Sequence, residues 1–401
     1  MRVDVLRRPA VIATLLLACT AGTIAQERPA EFEGYVLPGW SFTPGLSLSG
    51  LWDSNVTLAA PAAGTGRTPS DNVFVIVPSG TLAMNSTRTT FSAGYRGYLR
   101  RHVDLGELNG FDQRGYVTLQ HAATPRLSWF VTDELSEMAT TDLLELYGVP
   151  FRRVGVTSNR FGTGLKARLT KLTDLEVRYD HQWSAFDEVD EFVIGGTIQG
   201  LATGVHRRLT ERATVGAEAR IHRSDVTRAE PRVVWFQDAG GVFDYKLTEA
   251  LTLALAGGIS HVRDSRFEET KTSPYYRLGL EHESARATMG VSLEQSYAPS
   301  FGFSGSNDNR ELHGFVHMPF SKNRFYIEGD GSWRRSNPFF NLDIRFDTII
   351  SHATIGYSTL RWFRTEGYYA YSRQDSIIPG APIQRHRIGM QVVVSQPMRI
   401  R

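Results

Sequence analysis

The residues of this 401-residue chain that could carry acid–base, nucleophilic or metal chemistry are thinly spread. Its 11 histidines include one close pair, His313 and His317. Four positions apart on a strand puts the two on one face but about 13 Å from each other, at about 3.3 Å per residue, too far to chelate one ion. Ser296, Ser304 and Ser358 stand in no nucleophile motif, and Asp53, Asn55, Asp308 and Asn309 lack the ligand spacing of a calcium loop. No phosphate loop, dinucleotide fingerprint or zinc signature occurs. Catalysis needs a nucleophile and a base that converge. The expectation is a protein with no catalytic residues, no metal and no cofactor; an outer-membrane enzyme, with Ser, His and acid groups gathered at one rim, is the weakest reading.

Chemistry is organised instead by charge on alternate positions. The basic and aromatic members are Arg96, Tyr98, Arg100, Arg114, Tyr116, Arg160, Lys166, Arg168, Arg178, Arg220, Arg277, Arg334, Arg364, Arg385 and Arg387. The acidic members are Glu176, Asp180, Glu218, Glu281, Glu294, Glu328 and Asp330. Basic groups dominate the first and last segments, and acids gather between residues 281 and 330. If these positions line a pore, the arrangement predicts a transverse field, with a positive wall that attracts carboxylates or phosphates through arginine forks. The same charges also read as solvated or mutually paired wall residues.

The elements that must carry this pattern are strands. Leu175, Val177, Tyr179 and Trp183 share one face of a segment while Glu176, Arg178, Asp180 and Gln182 share the other, and helical periodicity is nearly absent. Eighteen such segments follow one another from 40–52 to 384–397. Very short turns, such as Asn85-Ser86-Thr87, Thr124-Pro125 and Leu360-Arg361, alternate with longer connections. An even strand number with this asymmetry matches the periplasmic turns and extracellular loops of an outer-membrane barrel. The fold expected is therefore all-β, a transmembrane antiparallel up-and-down β-barrel of about 18 strands, or 16 if two segments fail. Lipid would cover the oily face and the charged face would line the lumen, in the outer membrane of a Gram-negative bacterium. Alternation alone also suits a soluble or periplasmic β-protein. Trp40, Trp52, Trp183, Trp235, Trp333 and Trp362 sit near segment ends, where aromatic girdles lie.

Composition closes off other classes. Lys plus Arg number 44 against 42 Asp plus Glu, so bulk charge makes no case for nucleic acid. Beyond the N-terminus there is no apolar run near the length of a helical span. At the N-terminus Arg2, Arg7 and Arg8 precede an apolar stretch from Ala10 to Ala18. This predicts a signal peptide over 1–25, cut after Thr23-Ile24-Ala25, then a periplasmic segment 26–39 and the barrel over 40–401. The rival is a lipoprotein in which Cys19, the single cysteine, carries the lipid.

A barrel of this size is too wide for side chains to fill, so passage is the expected function. The connection 138–158 is the third long one and carries Leu143, Leu144 and Tyr147 ahead of Arg152 and Arg153. It resembles the constriction loop of general porins in position and length, though in no motif, and reads equally as a cap on the barrel rim.

Phe42-Thr43-Pro44, Leu51-Trp52-Asp53-Ser54-Asn55-Val56, Val77-Pro78-Ser79-Gly80-Thr81-Leu82 and Phe91-Ser92-Ala93-Gly94-Tyr95, with Tyr98, resemble the β-barrel porin-2 group. Members of that group are outer-membrane barrels often encoded with exopolysaccharide biosynthesis and export genes. The resemblance implies a conduit for exopolysaccharide secretion that works with a periplasmic polysaccharide export protein. The alternative is a diffusive or solute-specific porin. Partners on these readings are outer-membrane lipid and a polysaccharide or other anionic solute. One departure is the C-terminal Met398-Arg399-Ile400-Arg401, where such barrels usually end in an aromatic residue.

Overall fold

The computed structural model describes residues 39–61, 66–139, 153–187, 195–226, 232–265, 268–301, 306–321, 324–338, 345–376 and 382–400. The expected signal peptide, Cys19 and residues 26–38 lie outside them. The strands are β1 Gly39–Asp53, β2 Asp71–Asn85, β3 Thr89–His102, β4 Gly110–Thr124, β5 Leu127–Ala139, β6 Gly155–Arg168, β7 Thr173–Phe186, β8 Gly196–Arg208 and β9 Ala213–Val226. They continue as β10 Arg232–Lys246, β11 Leu251–Asp264, β12 Thr270–Ser284, β13 Ala287–Pro299, β14 Ser306–Phe320, β15 Phe325–Pro338, β16 Phe346–Leu360, β17 Phe363–Ser376 and β18 Ile383–Ser395. A two-residue strand, β19 Met398–Arg399, resumes the line of β18 beyond Pro397.

Each strand pairs antiparallel with its sequence neighbours, and β18 returns to β1 through Gly45↔Ser395 to Asp53↔Arg387, so the sheet closes on itself. β19 completes the seam, opposite Ser41 and Phe42. Closure removes the free edges that an open sheet would expose. Strands β5 and β6 run further than the sequence suggests, pairing up to Ala139↔Gly155 and shortening the connection expected over 138–158.

One face of every strand turns its apolar residues outward. Ile259, Ile355 and Met390 are 59%, 63% and 66% exposed, and Leu48, Phe74, Leu165, Leu201 and Ile388 behave likewise. In water each such side chain would forgo about 1.5–3 kcal/mol of burial; in a hydrocarbon layer it is already at home. Trp40 and Trp362 mark the end that carries the short turns, and Trp52, Trp183 and Trp235 mark the other. Trp40 and Trp52 are separated by about 40 Å of strand, which at the usual tilt spans roughly 30 Å of membrane normal. A closed sheet with an apolar belt between two aromatic girdles is a transmembrane barrel. It belongs in the outer membrane of a Gram-negative bacterium, its short-turn end periplasmic and its long-loop end extracellular.

Candidate functional site

Strand alternation turns the charged face of each strand into the barrel. Arg96, Tyr98 and Arg100 of β3, Arg114 and Tyr116 of β4, and Arg160, Lys166 and Arg168 of β6 lie on the face opposite the lipid belt. So do Glu176, Arg178 and Asp180 of β7, Glu218 and Arg220 of β9, Arg277 and Glu281 of β12, and Glu294 of β13. Glu328, Asp330 and Arg334 of β15, Arg364 of β17, and Arg385 and Arg387 of β18 complete the set.

Many of these charges meet an opposite one. Arg100 lies 2.9 Å from Asp112, Arg114 2.7 Å from Glu134, Lys166 3.4 Å from Glu176 and Arg220 3.0 Å from Glu218. Arg334 lies 3.1 Å from Glu311, and Arg364 pairs with Glu366, itself joined to Tyr326. Arg385 is held by Asp53. Arg168 and Asp174, 3.6 Å apart, are both largely exposed and contribute little. One juxtaposition runs the other way: Arg96 stands directly opposite Arg114 on the β3–β4 ladder. Like charges directly opposite in a sheet are destabilising, and here Glu134 offsets the Arg114 side of the pair. Across the lumen, Glu281, Glu294, Glu328 and Asp330 occupy β12, β13 and β15.

The mouth is bridged by a segment that sequence reasoning passed over. β13 pairs with β12 only as far as Tyr276↔Gln295, yet it continues with β14 up to Pro299↔Ser306. Above that break β13 parts from β12 and leans inward, while β14 stays paired with β15 up to Asn307↔Pro338. Tyr297 packs with Val234 and Phe236 of β10 and Val262 of β11, which are 0%, 1% and 0% exposed. Apolar side chains on the inner face of a water-filled barrel would be wet, so their burial shows that β13 covers them. The Lys271 ammonium lies 5.8 Å from the Tyr297 ring, bracketing it from the parted end of β12. Beyond Pro299 the chain reaches β6, β7 and β8, five to seven places round the barrel from β13. Phe301 packs with Val154, Val156, Phe186 and Ile198, its ring 6.5 Å from that of Phe186 in an edge-on contact. Ser300, Asn307 and Asn309 are buried within the same bridge. A small cleft beneath it is lined by Arg220, Asp238, Tyr275, Arg277, Glu294 and Tyr297.

Neither a protein-family model nor a curated protein matches this sequence. Among solved structures the chain is similar to OccAB4 of Acinetobacter baumannii, with 8% identity, a TM-score of 0.48, and coverage of 92% of this chain and 100% of that one. It is also similar to OpdQ of Pseudomonas aeruginosa, with 8% identity, a TM-score of 0.47, and coverage of 90% and 98%. OpdK of Pseudomonas aeruginosa, solved with vanillate, gives 9% identity, a TM-score of 0.46, and coverage of 89% and 99%. Likeness at this level says nothing about what the present chain carries. The resemblance to the β-barrel porin-2 group rests on the residues quoted for it.

Leu143, Leu144, Tyr147 and Arg152 of the expected constriction loop lie outside the described residues. Arg153 lies at the rim, where its guanidinium donates a hydrogen bond to the Leu108 carbonyl over 3.4 Å. Among the described residues no group of three or more His, Cys, Asp or Glu could hold a metal ion. His313 and His317 share a strand, and His317 bonds Glu328 at 2.8 Å. Asp53 and Asn55 are engaged with Arg385 and with the Ala59 and Gln384 backbones. A signal for the bridge was present in the run Val233-Val234-Trp235-Phe236, apolar on both faces of one strand. A barrel strand facing lipid on one side and water on the other has no reason for that pattern; a strand covered on both sides does.

Proposed function

We propose that this protein is a solute-selective channel whose mouth is divided by the end of β13 and Phe301 beyond it, and which admits small anionic solutes. The Phe301–Phe186 contact across the mouth carries this reading. A polymer conduit, the reading implied by the porin-2 resemblance, calls for an unobstructed lumen; a bridge between β13 and strands five to seven places round the barrel favours the small-solute alternative. Arg96 and Arg114, opposite each other in the ladder, give the solute its charge: Arg114 already holds Glu134 at 2.7 Å, and a carboxylate or phosphate beside Arg96 adds a second anion to the pair. The acids on the far wall orient the field across the path rather than along it.

Single-channel conductance in planar bilayers tests the proposal, comparing the natural chain with Phe301→Ser and with a chain in which residues 298–307 are replaced by a two-residue turn. A small conductance that rises severalfold in the shortened chain, with Phe301→Ser between, is the expected result. A large conductance indifferent to both changes would restore the polymer conduit. A parallel chain lacking 140–156 measures the contribution of the expected constriction loop, and absence of any channel from all of them would end the pore reading.

A further inference from the structure

The outer surface carries a second charged feature, unrelated to the lumen. Arg310 of β14 and Arg335 of β15 stand directly opposite each other on the lipid-side alternation, and the same row continues through Asp347 of β16 to Asp375 of β17. Asp347 is shared by two arginines, Arg335 at 2.7 Å and Arg345 at 3.1 Å, while Asp375 is occupied by Arg373 at 2.9 Å. Arg310 is exposed, and among the described residues no carboxylate lies within ion-pair distance of it. Asp308, two residues away on the same alternation, lies close enough to act on both Arg310 and Tyr297, so the patch holds the four arginines Arg310, Arg335, Arg345 and Arg373 against three carboxylates, Asp308, Asp347 and Asp375. Positive charge is therefore in excess on this patch, at a spot where two arginines repel across a ladder.

Its height fixes what it can meet. One step closer to the membrane centre, Leu312, Trp333 and Ile349 form the neighbouring outward row, with Leu312 and Ile349 exposed. The Arg335 guanidinium stacks 5.3 Å from the Trp333 ring. Tryptophan sits at the headgroup boundary of a bilayer, so guanidinium groups one step beyond it stand at the level of the headgroups themselves. The long connections place this end at the extracellular leaflet.

We propose that Arg310, Arg335, Arg345 and Arg373 form a binding site for the phosphate of a phosphorylated glycolipid headgroup in the outer leaflet, with the acyl chains lying over Leu312 and Ile349. Arginine forks bind phosphate oxygens in pairs, and a phosphate between Arg310 and Arg335 replaces their repulsion with two attractions. This does not depend on what the lumen carries.

The test uses the full chain reconstituted in phosphatidylcholine vesicles doped with bisphosphorylated lipid A or with its dephosphorylated form, with retained lipid counted by native mass spectrometry after detergent transfer. The natural chain should retain the phosphorylated lipid and not the other. Arg310→Gln combined with Arg335→Gln should weaken retention about thirtyfold, and Arg310→Gln alone about fivefold, from the usual contribution of each arginine near an anionic surface. The single variant removes an exposed group, so it keeps the test valid if the double variant inserts poorly. Arg286→Gln in a periplasmic turn should change nothing. Equal retention of the two lipids, equal retention by the natural chain and the variants, or an equal loss in Arg286→Gln would overturn the site.

Discussion

Arg385 on β18 reaches across the seam that closes the barrel to grip Asp53 on β1, its Nε 2.9 Å and its Nη2 2.6 Å from Oδ2. Both side chains are almost wholly buried at the inner face of the extracellular rim. Asp53 also accepts the Asn55 backbone N–H at 3.0 Å, and the Asn55 amide donates to the carbonyls of Ala59 and Gln384. The pair thus ties the first strand, the loop after it and the last strand together. Arg385 is a latch in the wall rather than a charge offered to a solute.

Removing one partner of such a pair leaves the other charged and buried, which costs about 3–5 kcal/mol. Arg385→Met should therefore lower the urea midpoint of the vesicle-embedded barrel markedly. Asp53→Leu combined with Arg385→Met should be milder, because no orphaned charge remains. A single variant as stable as the natural chain would show that the latch does not hold the seam.

Glycines on β10 and β11 face one another, Gly240 opposite Gly258 and Gly241 opposite Gly257. At Gly258 a Cβ would stand 2.1 Å from the Ala239 carbonyl oxygen and 2.5 Å from the Gly240 Cα, both rigid backbone. At Gly241 the nearest atom is the Gly216 carbonyl at 3.7 Å, an ordinary contact. Gly258→Ala should cost about 1–3 kcal/mol by overpacking, and Gly241→Ala should be tolerated. Heat-modifiable mobility in gels reads the folded fraction of each, and equal folding of the two would refute a close approach at Gly258.

Charge reversal in the lumen tests the anion preference separately from the bridge. Arg96→Glu with Arg114→Glu replaces two arginines that stand opposite each other in the ladder by two carboxylates. The reversal potential across a salt gradient should move from anion-favouring toward cation-favouring, while an intact bridge keeps the conductance of the same order. An unchanged reversal potential would mean that permeating ions do not pass these residues.

Much of this architecture was written in residue periodicity. Two-residue alternation in segments such as Leu175 to Trp183 specifies strands with unlike faces, tryptophans near the segment ends locate the girdles, and very short turns alternating with longer ones orient the barrel. These are local properties, carried by neighbours along the chain, so they survive without knowledge of the fold. The inward-facing positions of Arg96, Arg114 and Glu294 follow from the same alternation.

What alternation could not say is which inward charges find partners, since Asp53 and Arg385 lie at opposite ends of the chain and meet only when the sheet closes. The parting of β12 from β13 above Tyr276↔Gln295 and the passage of Phe301 to Phe186 are likewise decided in three dimensions. Tyr297 reads by period as a lipid-facing residue, and only the bend of β13 into the lumen turns that same face onto Val234, Phe236 and Val262. Periodicity along one strand assigns a side chain to a face; what covers that face depends on where distant strands have carried the rest of the chain.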